Sequence, residues 1–181
     1  MATADGTLTI VQISDLHCGT QFFLPNLLER AITEVNDIAP DIVICSGDLT
    51  TFGFKEEYAL AKSYIDRIDC EAVVIIPGNH DSRNVGYVHF EELFGERRRE
   101  LHRDGVSIVA VDSTEPDMDH GTIGRGRYGW IEERFASQEA FLRIFVLHHH
   151  LLPVPGTGSR WWCSTKIFMS AGCENCSSIQ A

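Results

Sequence analysis

The sequence predicts an α/β fold built on parallel strands joined by helical crossovers. Three observations carry that expectation. Residues 8–13, 42–45 and 72–76 are short apolar runs bounded by turn residues, as strands buried on both faces should be. The segments between them have helical period, so the order reads β-α-β-α-β. Each run also stops just before a residue able to ligate a metal, and parallel strands joined by right-handed crossovers bring their carboxyl ends to one edge.

The elements follow in order. After the first strand, Pro25 stands near a helix start, and Leu27, Leu28, Ala31, Ile32 and Val35 recur at three- and four-residue steps. The second strand is followed, beyond Gly53, by the same period in Leu60, Ala61, Tyr64, Ile65 and Ile68. Residues 106–111 read as a further strand ended by Asp112-Ser113, residues 128–140 as a helix, and residues 142–147 as a strand leading into His148-His149-His150. The mixed charges of residues 96–100 read as a solvated helix or loop. One domain is the expectation at 181 residues, and 44% hydrophobic residues can furnish its core.

Asp15, His17, Asp48 and Asn79 therefore gather at one sheet edge, and their donors are compatible. Carboxylates suit hard or borderline divalent ions, imidazoles suit first-row transition metals, and the Asn79 amide oxygen is an acceptable neutral ligand. A carboxylate between two cations can bridge them. Two such ions outweigh the two aspartates and leave a positive excess that attracts phosphate. The whole chain has the opposite balance, with 15 Lys plus Arg against 26 Asp plus Glu and a formal charge of −11. Phosphate recognition must then come from a local field, and bulk nucleic-acid binding is not expected. Asp15, Asp48 and Asn79 could each serve as a turn or helix cap instead, but four motifs in register argue for a shared site.

Asp15-Leu-His17, Gly47-Asp48, Gly78-Asn79-His80-Asp81 and the histidines at 148–150, in this order, resemble the calcineurin-like metallophosphoesterases, in particular their small phosphodiesterase branch. The resemblance covers roughly residues 8–158. It implies a four-layer α-β-β-α sandwich and metal-dependent phosphodiester hydrolysis at a binuclear site, with Asp15 and His17 on one metal, Asp48 bridging, and Asn79 with one of the three late histidines on the other. His148, first after its strand, is taken as that ligand, although strand alternation leaves the choice among His148, His149 and His150 open; the neighbours could hold it in orientation. The resemblance further implies His80 as the catalytic residue, touching phosphate or protonating the leaving oxygen, with a metal-bound hydroxide as nucleophile. Manganese is the first expectation for the two divalent ions, and iron or zinc suits the same donors. Asp81 either orients His80 or caps the following turn. Arg83 either reaches the phosphate or is simply solvated, His89 and His102 read as surface or packing residues, and His120 is a weak candidate for a replacement ligand.

The family closes its site with a later Gly-His-x-His element, and no histidine follows His150 in this chain. Each metal is thus short of one ligand, which bears on occupancy. The expected organisation is a metallophosphoesterase core over residues 1–158, C-terminally incomplete, and an atypical tail over residues 159–181, frameshifted or disordered. Two of three tryptophans and three of six cysteines fall in that tail, with no sustained strand or helix period. A Gly-His-x-His reading in another frame just downstream of the Gly158 codon is the expected signature of a shift. Cys163, Cys173 and Cys176 give three thiolates where a structural zinc site takes four ligands. A sandwich missing strands would leave an edge or apolar face open, so self-association is expected.

The alternative to an active enzyme is a catalytically impaired or inactive relative that acts as a binding module or has no evolved role. A small phosphoester is the expected partner in the first case. The first six residues lack the basic and apolar regions of a signal peptide, no run is long enough for a membrane span, and the core cysteines read as free thiols. The expected compartment is the cytoplasm.

Overall fold

The computed structural model describes residues 7–137 and 139–151, and the backbone of residues 166–171. The first sheet has the order β1-β2-β3, formed by Ile10–Ile13, Ile42–Cys45 and Val73–Ile75, and both pairings are parallel. Two crossover helices, α1 (Pro25–Ile38) and α2 (Lys55–Ile65), join these strands as the sequence period implies. Proline occupies the first turn of α1, where its missing N–H costs nothing. At the start of α2 the Glu57 carboxylate reaches back to the N–H groups of Phe52 and Phe54 at 2.8 and 3.3 Å, satisfying two donors.

The second sheet has the order β4-β5-β6-β7, from Arg99–Arg103, Val106–Ala110, Leu142–Leu147 and Lys166–Ala171. Its central pair β5-β6 is parallel, and both border strands run antiparallel to it. In sequence α3 (Gly86–Phe94) follows β3, and α4 (Tyr128–Ala136) comes between β5 and β6.

Alternation along the strands divides the core. Val43 and Cys45 of β2 face α1, α2 and α3, packing with Leu28, Ile32, Tyr58, Ile65 and Phe90. Ile42 and Ile44 face the other way and meet Val106, Ile108, Ile144 and Val146 of the second sheet. The outer face of that sheet puts Val109, Val111 and Leu147 against Trp130, Ile131 and Phe135 of α4. The layers are therefore α-β-β-α, and β2 and β5 in the middle are buried along their whole length.

Besides α3, which the sequence reading did not assign, two elements differ from it. The charge run at residues 96–100 ends in a strand, because β4 pairs with β5 and carries a two-residue burial alternation, with Arg99, Leu101 and Arg103 half-buried. Arginine stems can cover apolar surface while the guanidinium stays polar, and Arg103 reaches the Asp41 carbonyl at 3.2 Å. Within the atypical tail, β7 adds to the open edge of β6, a pairing that depends on a distant partner rather than local period. The tail's other residues, 159–165 and 172–181, with Cys163, Cys173 and Cys176, lie outside the described residues. No helix among the described residues is long and apolar enough to cross a membrane.

Candidate metal centre

The carboxyl ends of β1, β2 and β3 open onto one loop cluster. Past the strands the ladder continues irregularly: Asp15 N–H donates to the Gly47 carbonyl at 3.0 Å, His17 N–H to the Asp48 carbonyl at 3.0 Å, and Cys18 N–H to Leu49 at 2.9 Å. These bonds hold Asp15 and His17 beside Asp48. They also impose left-handed backbone on all three, with φ of 58°, 44° and 54°. Such conformations cost about 1–3 kcal/mol each and persist only where the surroundings enforce them.

Two glycines let the loops close. A Cβ on Gly47 would meet the Gly78 nitrogen at 2.5 Å and His148 Nδ1 at 2.8 Å, and one on Gly78 would meet Asp48 Oδ1 at 2.2 Å. The buried Asp81 carboxylate then ties the loops together. Its oxygens accept the N–H groups of Leu49 (3.0 Å), Thr50 (2.9 Å) and Gly78 (2.9 Å) and the Thr50 hydroxyl (2.7 Å). Neither role read from sequence describes Asp81; it pins the loop after β2 to the loop after β3. Burial raises its pKa, and these four donors oppose the shift by stabilising the charged form.

Asp48 lies at the centre, fully buried. Its Oδ1 accepts the His80 N–H at 3.0 Å, while Oδ2 has no hydrogen bond. His17 Nε2 stands 3.6 Å from that oxygen and His148 Nε2 3.5 Å. His17 Nε2 is also 3.8 Å from Asp15 Oδ1. Burial, then the neighbouring Asp81 charge, pushes the Asp48 carboxyl up to about 8. An isolated buried carboxylate is expensive, and a cation is the natural compensation.

His148 comes from the second sheet. Its Nδ1 donates to the Ser46 carbonyl at 3.0 Å, so its Nε2 presents a lone pair, and that atom lies 3.0 Å from Asn79 Oδ1. The Asn79 amide nitrogen points away, donating to Asp119 Oδ1 at 3.4 Å. Acceptors thus converge on acceptors: His148 Nε2, Asn79 Oδ1 and Asp48 Oδ2. The donor set fits a divalent ion, which would turn that mutual repulsion into ligation. Among the described residues two donor triads have their ligand atoms within 4.8 Å of one another, Asp15 with Asp48 and His148, and His17 with Asp48 and His80; both contain Asp48.

The structure brings together all six residues singled out in sequence, Asp15, His17, Asp48, Asn79, His80 and His148. His80 packs edge-on to His17 with centroids 4.7 Å apart, and its Nδ1–H donates to the Thr51 carbonyl at 2.8 Å. Burial lowers the His80 pKa, which favours the neutral imidazole. His149 bonds the Ser113 hydroxyl through Nδ1 at 2.8 Å and packs edge-on to His148 at 5.3 Å, while burial lowers its pKa to about 4. It buttresses its neighbour. Arg83 is tied to Asp119 at 2.7 Å, His89 packs on Tyr58 at 6.3 Å, and His120 is exposed and in neither triad. Sequence reasoning missed the carbonyls of Ser46 and Thr51, which fix two imidazoles. Main-chain acceptors leave no signature in residue type; Ser113, ending a strand parallel to the one before His149, did leave one.

Two packed sheets with acid, amide and imidazole donors at the strand tips form a candidate divalent-metal centre. The family model for calcineurin-like phosphoesterases matches residues 8–176, and the chain belongs to that family. Among curated relatives, a probable glycerophosphodiester phosphodiesterase of Arcobacter nitrofigilis is 28% identical over 156 residues, covering 78% of this chain and 57% of the relative. A probable cyclic nucleotide phosphodiesterase of Synechococcus is 28% identical over 152 residues, covering 79% and 58%. The chain thus spans a little over half the length of these relatives. A purple acid phosphatase from yellow lupin seeds shares the fold, with a TM-score of 0.59 at 16% identity over 78% of this chain and 30% of the other.

Proposed function

We propose that the chain carries the centre of a metal-dependent phosphodiesterase, hydrolysing a small phosphodiester at a pair of divalent ions bridged by Asp48. One observation carries the reading: a buried carboxylate oxygen without a hydrogen bond, faced by His17 Nε2 and His148 Nε2 at 3.6 and 3.5 Å. Asp15 and His17 would hold one ion, and Asn79 and His148 the other. Manganese is the ion of choice here, with iron and zinc served by the same donors. When bound, such ions neutralise phosphate charge and acidify water enough for attack near neutral pH.

The chain's own residues do the rest. Ser46, Asp119 and Ser113 orient the donors through His148, Asn79 and His149. His80 is held at Nδ1 by Thr51, which leaves Nε2 as the atom that passes a proton to the departing ester oxygen. Burial disfavours the charged ring, and an anionic phosphate beside it would act in the opposite direction. Cys18 and Cys45, buried free thiols, suit a reducing compartment such as the cytoplasm.

Metal analysis and turnover of bis(4-nitrophenyl) phosphate with added Mn²⁺ test this. Two ions per chain and a rate that falls about 10²–10⁴-fold in His80→Ala are expected. Asp48→Ala should release metal and abolish turnover. Undiminished hydrolysis in both variants refutes the assignment, and bound metal without any turnover favours the binding-module alternative.

A further inference from the structure

Apolar side chains surround the rim of the centre where the core has no use for them. On α1 the inner face buries Leu28, Ile32 and Val35, yet Leu24 and Leu27 at its start are 59% and 61% exposed, and Phe22 just before them is 81% exposed. Together they wall a groove of about 580 Å³ whose inner end is formed by Asp15, His17 and Thr51. Immediately after Thr51 the chain turns out two more rings, Phe52 and Phe54, 5.8 Å apart. Exposed apolar clusters of this kind mark binding surfaces, and the volume is that of a small-molecule site.

Its chemistry restricts the occupant. Among the described residues that line it there is no Lys or Arg, so a second anionic group finds no counter-charge, and a polyol finds little beyond the hydroxyls of Thr20 and Thr51. A phosphate seated at Asp15 and His17 would direct one ester substituent along this wall. We infer that the groove seats an aryl or medium-length alkyl group, and that the preferred substrates are phosphodiesters with one apolar alcohol. The inference rests on the phosphodiesterase reading for the placement of the phosphate. Phe22 and Leu27 are then the specificity-determining residues.

The test uses the full chain with Mn²⁺ and a series of 4-nitrophenyl alkyl phosphates, methyl, butyl and hexyl. Calorimetric binding of butyl phosphate, hexyl phosphate and inorganic phosphate runs in parallel. Specificity, kcat/KM, should climb about two- to fourfold per added methylene until the groove is filled. Monoester affinity should follow the same trend. Phe22→Ser and Leu27→Ser should flatten both slopes, while Phe141→Ser, exposed at the amino end of β6, should leave them steep. Equal values across both series would overturn the inference. So would a concentration-dependent dimer in sedimentation that Phe22→Ser dissolves, because the patch would then pair two copies. If no ester turns over but monoester affinity still climbs with chain length, the groove stands and the phosphodiesterase reading fails.

Discussion

Asp81 shows how much a residue beside a ligand can matter. Its four acceptor contacts come from two separate loops, and Tyr58 adds a bond from its hydroxyl to the Asp81 carbonyl at 2.7 Å. Asp81→Asn puts an amide where at least one buried N–H must face another donor. The change should lower stability by about 2–4 kcal/mol in urea denaturation, and Mn²⁺ affinity by about 10–100-fold in titration calorimetry. At this scale the clustering was legible, since Asp15, His17, Asp48, Asn79, His80 and His148 each follow a strand-like run. What holds them was not. The part played by Asp81 depends on loops more than 30 residues apart closing over two glycines, which no local pattern records.

Among the elements, β2 shows the clearest link between pattern and packing, with all four residues buried and two faces serving two cores. Cys45 at its end is enclosed, and burial, then the Asp81 charge, pushes its thiol up to about 12. The unfolded thiol ionises near 8.5, so the unfolded chain loses this proton first as pH rises. Stability from this group is therefore complete below about pH 8.5 and falls by roughly 1.4 kcal/mol per pH unit from there toward 12. Urea midpoints between pH 7.5 and 10.5 should show the decline, and Cys45→Val should remove that share of it. The strands with uniform apolar runs, and the helices α1 and α2 with sustained period, were readable for the same reason: their burial is written along the local sequence. β4 and β7 escaped because border strands take their conformation from a neighbour's open edge. α3 escaped because its nine residues bury few side chains, chiefly Phe90.

The whole molecule joins two sheets through an apolar layer, and the centre straddles that join. Asp15, His17, Asp48, Asn79 and His80 belong to loops of the first sheet, while His148 arrives from the second. Ile44 is fully buried between the layers, and Ile44→Ala should destabilise the fold by about 2–5 kcal/mol, read from urea unfolding. The same variant should bind Mn²⁺ more weakly although it touches no donor, because the layers settle differently over the void. The layered architecture was expected from the resemblance to the phosphoesterase family rather than from the strand patterns; the seam between the sheets, which decides where His148 lands, depends on packing across sequence-distant faces.

His148 also grips the first sheet at the Ser46 carbonyl, which holds its Nε2 against the Asn79 amide oxygen. One imidazole is thus both a donor and a rivet. Any sliding of one layer across the other must pull that ring from its carbonyl anchor, so the centre doubles as a strain gauge for the sandwich.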